Sequence, residues 1–186
     1  MEIPEHIKQI YQNSECLFSK QDVENALDKM AHDIHETVAH QNPLLLCTMI
    51  GGLVPTGNLL PRLDFPLELN YIHATRYQGN TCGGDVAWKV CPDQELKGRT
   101  IVVIDDILDG GLTLQAIIEY CYACDAKKVY TAVLVDKLTK RLEGGLAKAD
   151  FSALQVDDRY VFGYGMDYKN YFRNAPGIFV VPKQYE

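Results

Sequence analysis

One stretch constrains this chain more than any other. Thr100-Ile-Val-Val-Ile104 is an apolar, β-branched run of the kind that forms a strand buried on both faces. It leads into Asp105-Asp106-Ile-Leu-Asp109-Gly110-Gly111-Leu112-Thr113, after which residues 114–124 read as a helix with Ile117, Ile118 and Cys121 on one side. A parallel strand, an acidic glycine-containing turn and a helix form the unit from which open α/β sheets build ligand sites, at the carboxyl ends of their strands. Three carboxylates after a buried strand cost stability unless something uses them. Two glycines let the backbone turn sharply and approach a ligand. The free N–H groups of the helix start, with the Thr113 hydroxyl, suit a phosphate. Acids beside a phosphate cradle point to a sugar phosphate held with Mg²⁺.

The rest of the chain fits that unit. Residues 44–50 form a second continuous apolar run between Pro43 and Gly51-Gly52 and read as another buried strand. A short helix follows between Pro55 and Pro61, then strands at 68–77 and 85–90 flanking a glycine-rich connection at 79–84 that reads as a mobile loop. Residues 129–135 read as a further strand, 139–150 as a polar connection, and 151–154, 161–162 and 178–181 as short strands. Near the start, Val23, Leu27, Met30, Ile34 and Val38 mark an amphipathic helix over 19–40, opened by the capping sequence Ser19-Lys-Gln-Asp22. The alternation predicts an α/β fold with a mainly parallel sheet flanked by helices.

At 186 residues the chain is one domain by length, large enough to bury roughly 70% of its unfolded surface. Its 47% hydrophobic and 23% charged residues exclude a disordered, collagenous or coiled-coil main state. A net charge of -7 speaks against a dedicated nucleic-acid binder. No apolar run reaches the ~18 residues of a membrane span, and the start lacks a signal-peptide pattern, so a cytoplasmic protein is expected. The six cysteines are then expected to be reduced thiols. Cys121 and Cys124 read as semi-buried small hydrophobes, and His32, His35, Glu36 and His40 as a solvated helix face, since no further ligands converge on either group.

The segment Ile101-Val-Val-Ile-Asp-Asp-Ile-Leu-Asp-Gly-Gly-Leu-Thr113 resembles the phosphoribosyl pyrophosphate (PRPP) signature of type I phosphoribosyltransferases. Asp158-Arg-Tyr-Val-Phe-Gly-Tyr-Gly-Met-Asp167-Tyr168, with Tyr171-Phe172-Arg173, resembles the purine-binding end of the hypoxanthine-guanine branch, and Met49-Ile50-Gly51-Gly52 resembles its first pyrophosphate loop. The resemblance runs in order over residues 40–182. It implies a small hood at the C-terminal end of the sheet, N-terminal helices over 1–40, a core over 41–136 with a mobile loop near 76–90, and the hood and last strand over 137–186.

By the same resemblance, Asp105 and Asp106 would meet the ribose hydroxyls and hydrated Mg²⁺, with Asp167 beside the metal. Asp109 would be the general base. Gly110, Gly111, Leu112 and Thr113 would hold the 5′-phosphate. Ile50, Gly51, Gly52, Arg76, Tyr77 and Arg173 would surround the pyrophosphate. Lys137 would donate to the purine 6-oxo group, Tyr160 would stack on the ring, and Val161 would read its edge. The implied reaction joins PRPP to a 6-oxopurine, releasing pyrophosphate and a purine mononucleotide, in a homodimer or homotetramer. Gly110, Leu112 and Ile50 depart from residues common in that family. Alternatives are xanthine-guanine specificity and a PRPP- or nucleotide-sensing regulator of the same fold.

Overall fold

The computed structural model describes residues 3–76 and 86–186. A six-stranded sheet carries β2 (Leu44–Thr48), β3 (Glu68–Arg76), β4 (Val86–Val90), β5 (Thr100–Leu108), β6 (Lys128–Leu138) and β7 (Phe151–Asp157) in the order β4-β3-β2-β5-β6-β7. Only β4 runs antiparallel to its neighbour. Along β5 the side chains alternate between two cores. Val102 and Ile104 pack on the side of α2 (Lys20–Val38) and α3 (Leu53–Leu59). Ile101 and Val103 pack on the side of α4 (Leu112–Ala123). Burial on both faces explains the unbroken apolar runs of β2 and β5.

The ends of several elements differ from expectation. β5 runs through Leu108 rather than stopping at 104, so Asp105 and Asp106 lie within the strand. The cause is the longer partner: β6 continues to Leu138, and the ladder pairs Asp105 with Val133 and Leu108 with Asp136. β2 stops at Thr48, because the chain turns at Met49-Ile50 towards the glycines. The expected capping box is present: the Asp22 amide donates to the Ser19 hydroxyl, and the Ser19 amide donates to the Asp22 carboxylate.

Residues 1–40 are not only helical. Between α1 (Glu5–Asn13) and α2 lies β1 (Glu15–Ser19). It pairs with β9 (Gly177–Val180), which in turn pairs with β8 (Val161–Phe162), so the hood is a three-stranded antiparallel sheet built from both ends of the chain. A separate cluster of Ile7, Ile10, Phe162, Tyr168, Ala175 and Val181 holds it. The Tyr164 hydroxyl donates to Glu24 at 2.6 Å, and Glu24 also pairs with Arg62, which ties the hood to α2. Among the described residues no helix is long and apolar enough to cross a membrane. The mobile loop expected at 79–84 lies outside the described residues.

Candidate active site

The carboxyl ends of β2, β3 and β5 and the start of α4 enclose a cavity of about 440 Å³. Its lining includes Ile50, Gly51, Asp105, Asp106, Asp109, the segment Gly110 to Thr113, Asp167 and Arg173. A second cavity of about 430 Å³ opens below the hood and is lined by Lys137, Arg159, Tyr160, Val161 and Met166. The two share Asp106, Ile107, Asp109 and Asp167. The expected site residues among those described are thus gathered into two joined spaces, except Gly52, which lines neither. Tyr77 and the side chain of Arg76 lie outside the described residues.

Backbone geometry shapes the first cavity. Gly111 caps α4 in a left-handed conformation, φ 84°, with no side-chain cap on the helix. A side chain there would also meet Leu146 N at 2.6 Å, so the turn requires glycine twice over. The helix therefore presents uncapped N–H groups to the cavity, as a phosphate requires. Across from it, a methyl at Gly51 would sit 2.0 Å from Asp106 Oδ2. The absence of a side chain at residue 51 lets the turn after β2 close against the acidic pair.

The acidic pair is held under electrostatic tension. Burial pushes the Asp105 carboxyl well above the usual carboxylate range, and the Asp106 charge pushes it the same way. Asp106 is raised by burial and partly drawn back by hydrogen bonding with Asp105 and by the Arg173 charge. The Asp106 and Ile107 amides donate to the Asp105 and Asp106 carboxylates at 3.0 and 2.9 Å and fix both side chains. Arg173 lies 3.8 Å from Asp106, pairs with Asp167 at 2.6 Å, and donates to the Gly165 carbonyl at 2.6 Å.

In the second cavity Lys137 is mostly buried and lies between two carboxylates. It is 2.8 Å from Asp158 and 3.6 Å from Asp109. Its hydrogen bond to Asp158 holds that carboxyl below its ordinary value. Lys137 is therefore not a solvated surface lysine.

Several residues of the site carry no signal in the sequence. Arg141 lies in the polar connection after β6, yet its guanidinium donates to the carbonyls of Leu108, Asp109 and Lys137 at 3.1, 2.8 and 2.8 Å and pairs with the buried Asp136. One side chain thus locks the backbone of the proposed base to that of the proposed purine-binding lysine. Leu142 and Leu146 amides donate to the Gly110 and Gly111 carbonyls, so the same connection props up the phosphate turn. Asp158 is the partner of Lys137, and Thr48 brings a buried hydroxyl without a partner among the described residues. Only Asp158 stood within a motif, and nothing in its spacing gave it a role. Away from the site, burial pushes the Cys121 thiol up to about 12, in keeping with an inert core position.

Comparison with known proteins bears on this geometry. Residues 13–169 match the phosphoribosyl transferase domain family. The hypoxanthine-guanine phosphoribosyltransferase of Bacillus subtilis is 31% identical, over 91% of this chain and 94% of its own. The hypoxanthine-guanine-xanthine enzyme of Tritrichomonas foetus is 28% identical, over 87% of this chain and 88% of its own. A crystal structure of a hypoxanthine phosphoribosyltransferase from Staphylococcus aureus superimposes with a TM-score of 0.86 over 98% of each chain at 21% identity, a likeness of fold. With residues 13–169 matched, the chain belongs to the phosphoribosyl transferase family.

Proposed function

We infer that the protein transfers the 5-phosphoribosyl group of PRPP to N9 of a 6-oxopurine, hypoxanthine or guanine, as a purine-salvage enzyme. The observation that carries this reading is the meeting of the two cavities at Asp109. A phosphorylated sugar in the first and a base in the second would meet along this shared wall, where Asp109 stands beside Asp106, Ile107 and Asp167. The C1′–N9 bond forms as the bond from C1′ to pyrophosphate breaks, and the pyrophosphate leaves with the bonding electrons. Asp109 takes the proton that the purine must lose. Rigid placement of two reactants supplies much of such a rate enhancement.

The donor set suits Mg²⁺. It offers hard carboxylate oxygens, and the buried pair is short of positive charge. Among the described residues no three candidate ligands form a ready-made metal site. That agrees with Mg²⁺, which usually takes one or two carboxylates and completes its shell with waters and substrate phosphates. Asp105 and Asp106 would hold it, with Asp167 nearby, and it would neutralise charge on the departing pyrophosphate. The ribose hydroxyls would donate to the same acids.

Selectivity for a 6-oxo group rests on Lys137, which has donors only. The 6-amino group of adenine would set donor against donor inside a half-closed space. The acidic balance of -7 disfavours the nucleic-acid-binding regulator. The test is product detection with PRPP, Mg²⁺ and each of hypoxanthine, guanine, xanthine and adenine. Mononucleotide from hypoxanthine or guanine is expected and none from adenine. Adenine use within tenfold of hypoxanthine would overturn the reading.

A further inference from the structure

Among the described residues the first cavity is lined by four carboxylates, Asp105, Asp106, Asp109 and Asp167, against two full cations, Arg173 and Lys89. Arg173 is already engaged by Asp167 and Asp106. Lys89 is not: the ion pairs among the described residues use Lys97, Arg99, Lys137, Arg141 and Arg173 in this half of the molecule, and none uses Lys89. Its placement is built into the sheet. Between β3 and β4 the ladder pairs His73 with Val90 and then Ala74 with Trp88, so Lys89 is the extra residue of a β-bulge. Bulges re-aim side chains, and they gather beside functional sites. Trp88 packs against Tyr120 of α4 in a tilted ring pair, centroids 5.0 Å apart, and anchors the strand, while Lys89 joins the cavity lining with His73 and Thr75. The Lys89 charge is felt inside, where it helps burial to hold the His73 imidazole below its ordinary value.

We propose that Lys89, presented by the β-bulge of β4, is a cation that binds the pyrophosphate group of the substrate and product. The inference rests on the functional reading above. Sheet order decides which anionic group it serves. β4 and β3 lie beyond β2 and its Gly51-Gly52 turn, on the side of the acidic pair opposite to β6 and Lys137. A sugar anchored at Asp105 and Asp106 with its base towards Lys137 directs its C1′ leaving group over the Gly51 turn. The competing assignment, the 5′-phosphate at the α4 start, makes a different prediction.

The experiment titrates wild type, Lys89→Gln and Lys89→Arg with inorganic pyrophosphate in Mg²⁺, and separately with IMP, which carries a 5′-phosphate and no pyrophosphate. One charge-assisted hydrogen bond corresponds to about ten- to a hundredfold in affinity. Lys89→Gln is expected to weaken pyrophosphate and raise the KM for PRPP by about tenfold or more, with IMP affinity, the purine KM and the melting temperature unchanged. Lys89→Arg should restore most of the loss. Unchanged pyrophosphate affinity in Lys89→Gln overturns the proposal, and so does an equal loss for IMP, which would assign the lysine to the 5′-phosphate. The two readings fail separately: a wild type that does not turn over PRPP defeats the function, while the pyrophosphate titration still decides the lysine.

Discussion

The two halves of the site are built on opposite electrostatic plans. On the side of the first cavity, Asp105 and Asp106 lie next to each other with their carboxyl groups raised, and among the described residues the nearest cation is Arg173, 3.8 Å from Asp106. On the side of the second cavity, charges are already paired: Lys137 with Asp158 at 2.8 Å and Asp136 with Arg141. The first half is unfinished until a cation and a substrate arrive. The second is finished in advance and holds its side chains ready. An enzyme that joins a polyanionic sugar phosphate to a neutral base, as proposed above, would have reason for both. Asp109, the proposed base, lines both cavities.

The largest effect expected is at that shared residue. Removal of a general base usually costs about 10²–10⁴ in rate. Asp109→Asn should lower kcat in that range and leave PRPP affinity near wild type. Saturation kinetics with hypoxanthine, alongside PRPP titration, checks it. Near wild-type turnover would assign the proton to another group and remove the special status of Asp109.

The prepaired half is next. Arg141→Met leaves the Asp136 carboxylate buried without its partner, and breaking such a pair costs about 3–5 kcal/mol. At about 2–4 °C per kcal/mol for a chain of this size, melting should fall by about 6–20 °C. The double variant Asp136→Asn/Arg141→Met should recover most of that loss. A single variant that melts within 2 °C or so of wild type would mean that the clamp holds nothing. Weaker still, Lys137→Ala should lower kcat/KM for hypoxanthine about ten- to a hundredfold, the worth of one charge-assisted hydrogen bond. An equal or smaller loss in Asp158→Asn, with the purine KM unchanged, would confirm that Asp158 orients the lysine rather than touching the base.

The contrast between the halves also explains what could be read from the sequence. The ribose side is almost contiguous: strand, acids, glycines and helix follow one another from Thr100 to Cys124, so periodicity and turn chemistry expose it directly. The base side draws on residues 137, 160–161 and 166–167 from separate elements, and only a family resemblance brought them together. Arg141 was hidden because its work is done through backbone carbonyls, whose positions no residue pattern records. Strand β1 was hidden because its five residues, Glu15 to Ser19, are too short to declare a period and acquire a partner only from the far end of the chain. Lys89 was hidden because a bulge shifts the parity on which strand patterns depend. Burial and alternation located the elements; their ends were set by partners, as β6 set the length of β5.

The smallest effect expected is the most direct test of the unfinished half. Burial and the Asp106 charge raise the Asp105 carboxyl in the folded protein above its unfolded value of ~3.9. The folded state therefore binds that proton more tightly than the unfolded state does. Stability must fall as pH rises from ~3.9 through the raised value, and the cost is fully present above it. Asp105→Asn removes the ionisation and keeps an oxygen to accept the Asp106 amide, now 3.0 Å away. Relief of that cost should raise the melting temperature at pH 8. The gain should shrink on acidification and vanish near pH 4. The same variant should lose Mg²⁺-dependent PRPP binding, because the oxygens that destabilise the empty site are the ones that complete it when filled. Melting curves of both proteins from pH 4 to 8, with PRPP titration at pH 8, separate the outcomes. A lower melting point for Asp105→Asn at pH 8 would show that the pair is already satisfied in the empty protein, and the two halves would then share one electrostatic plan.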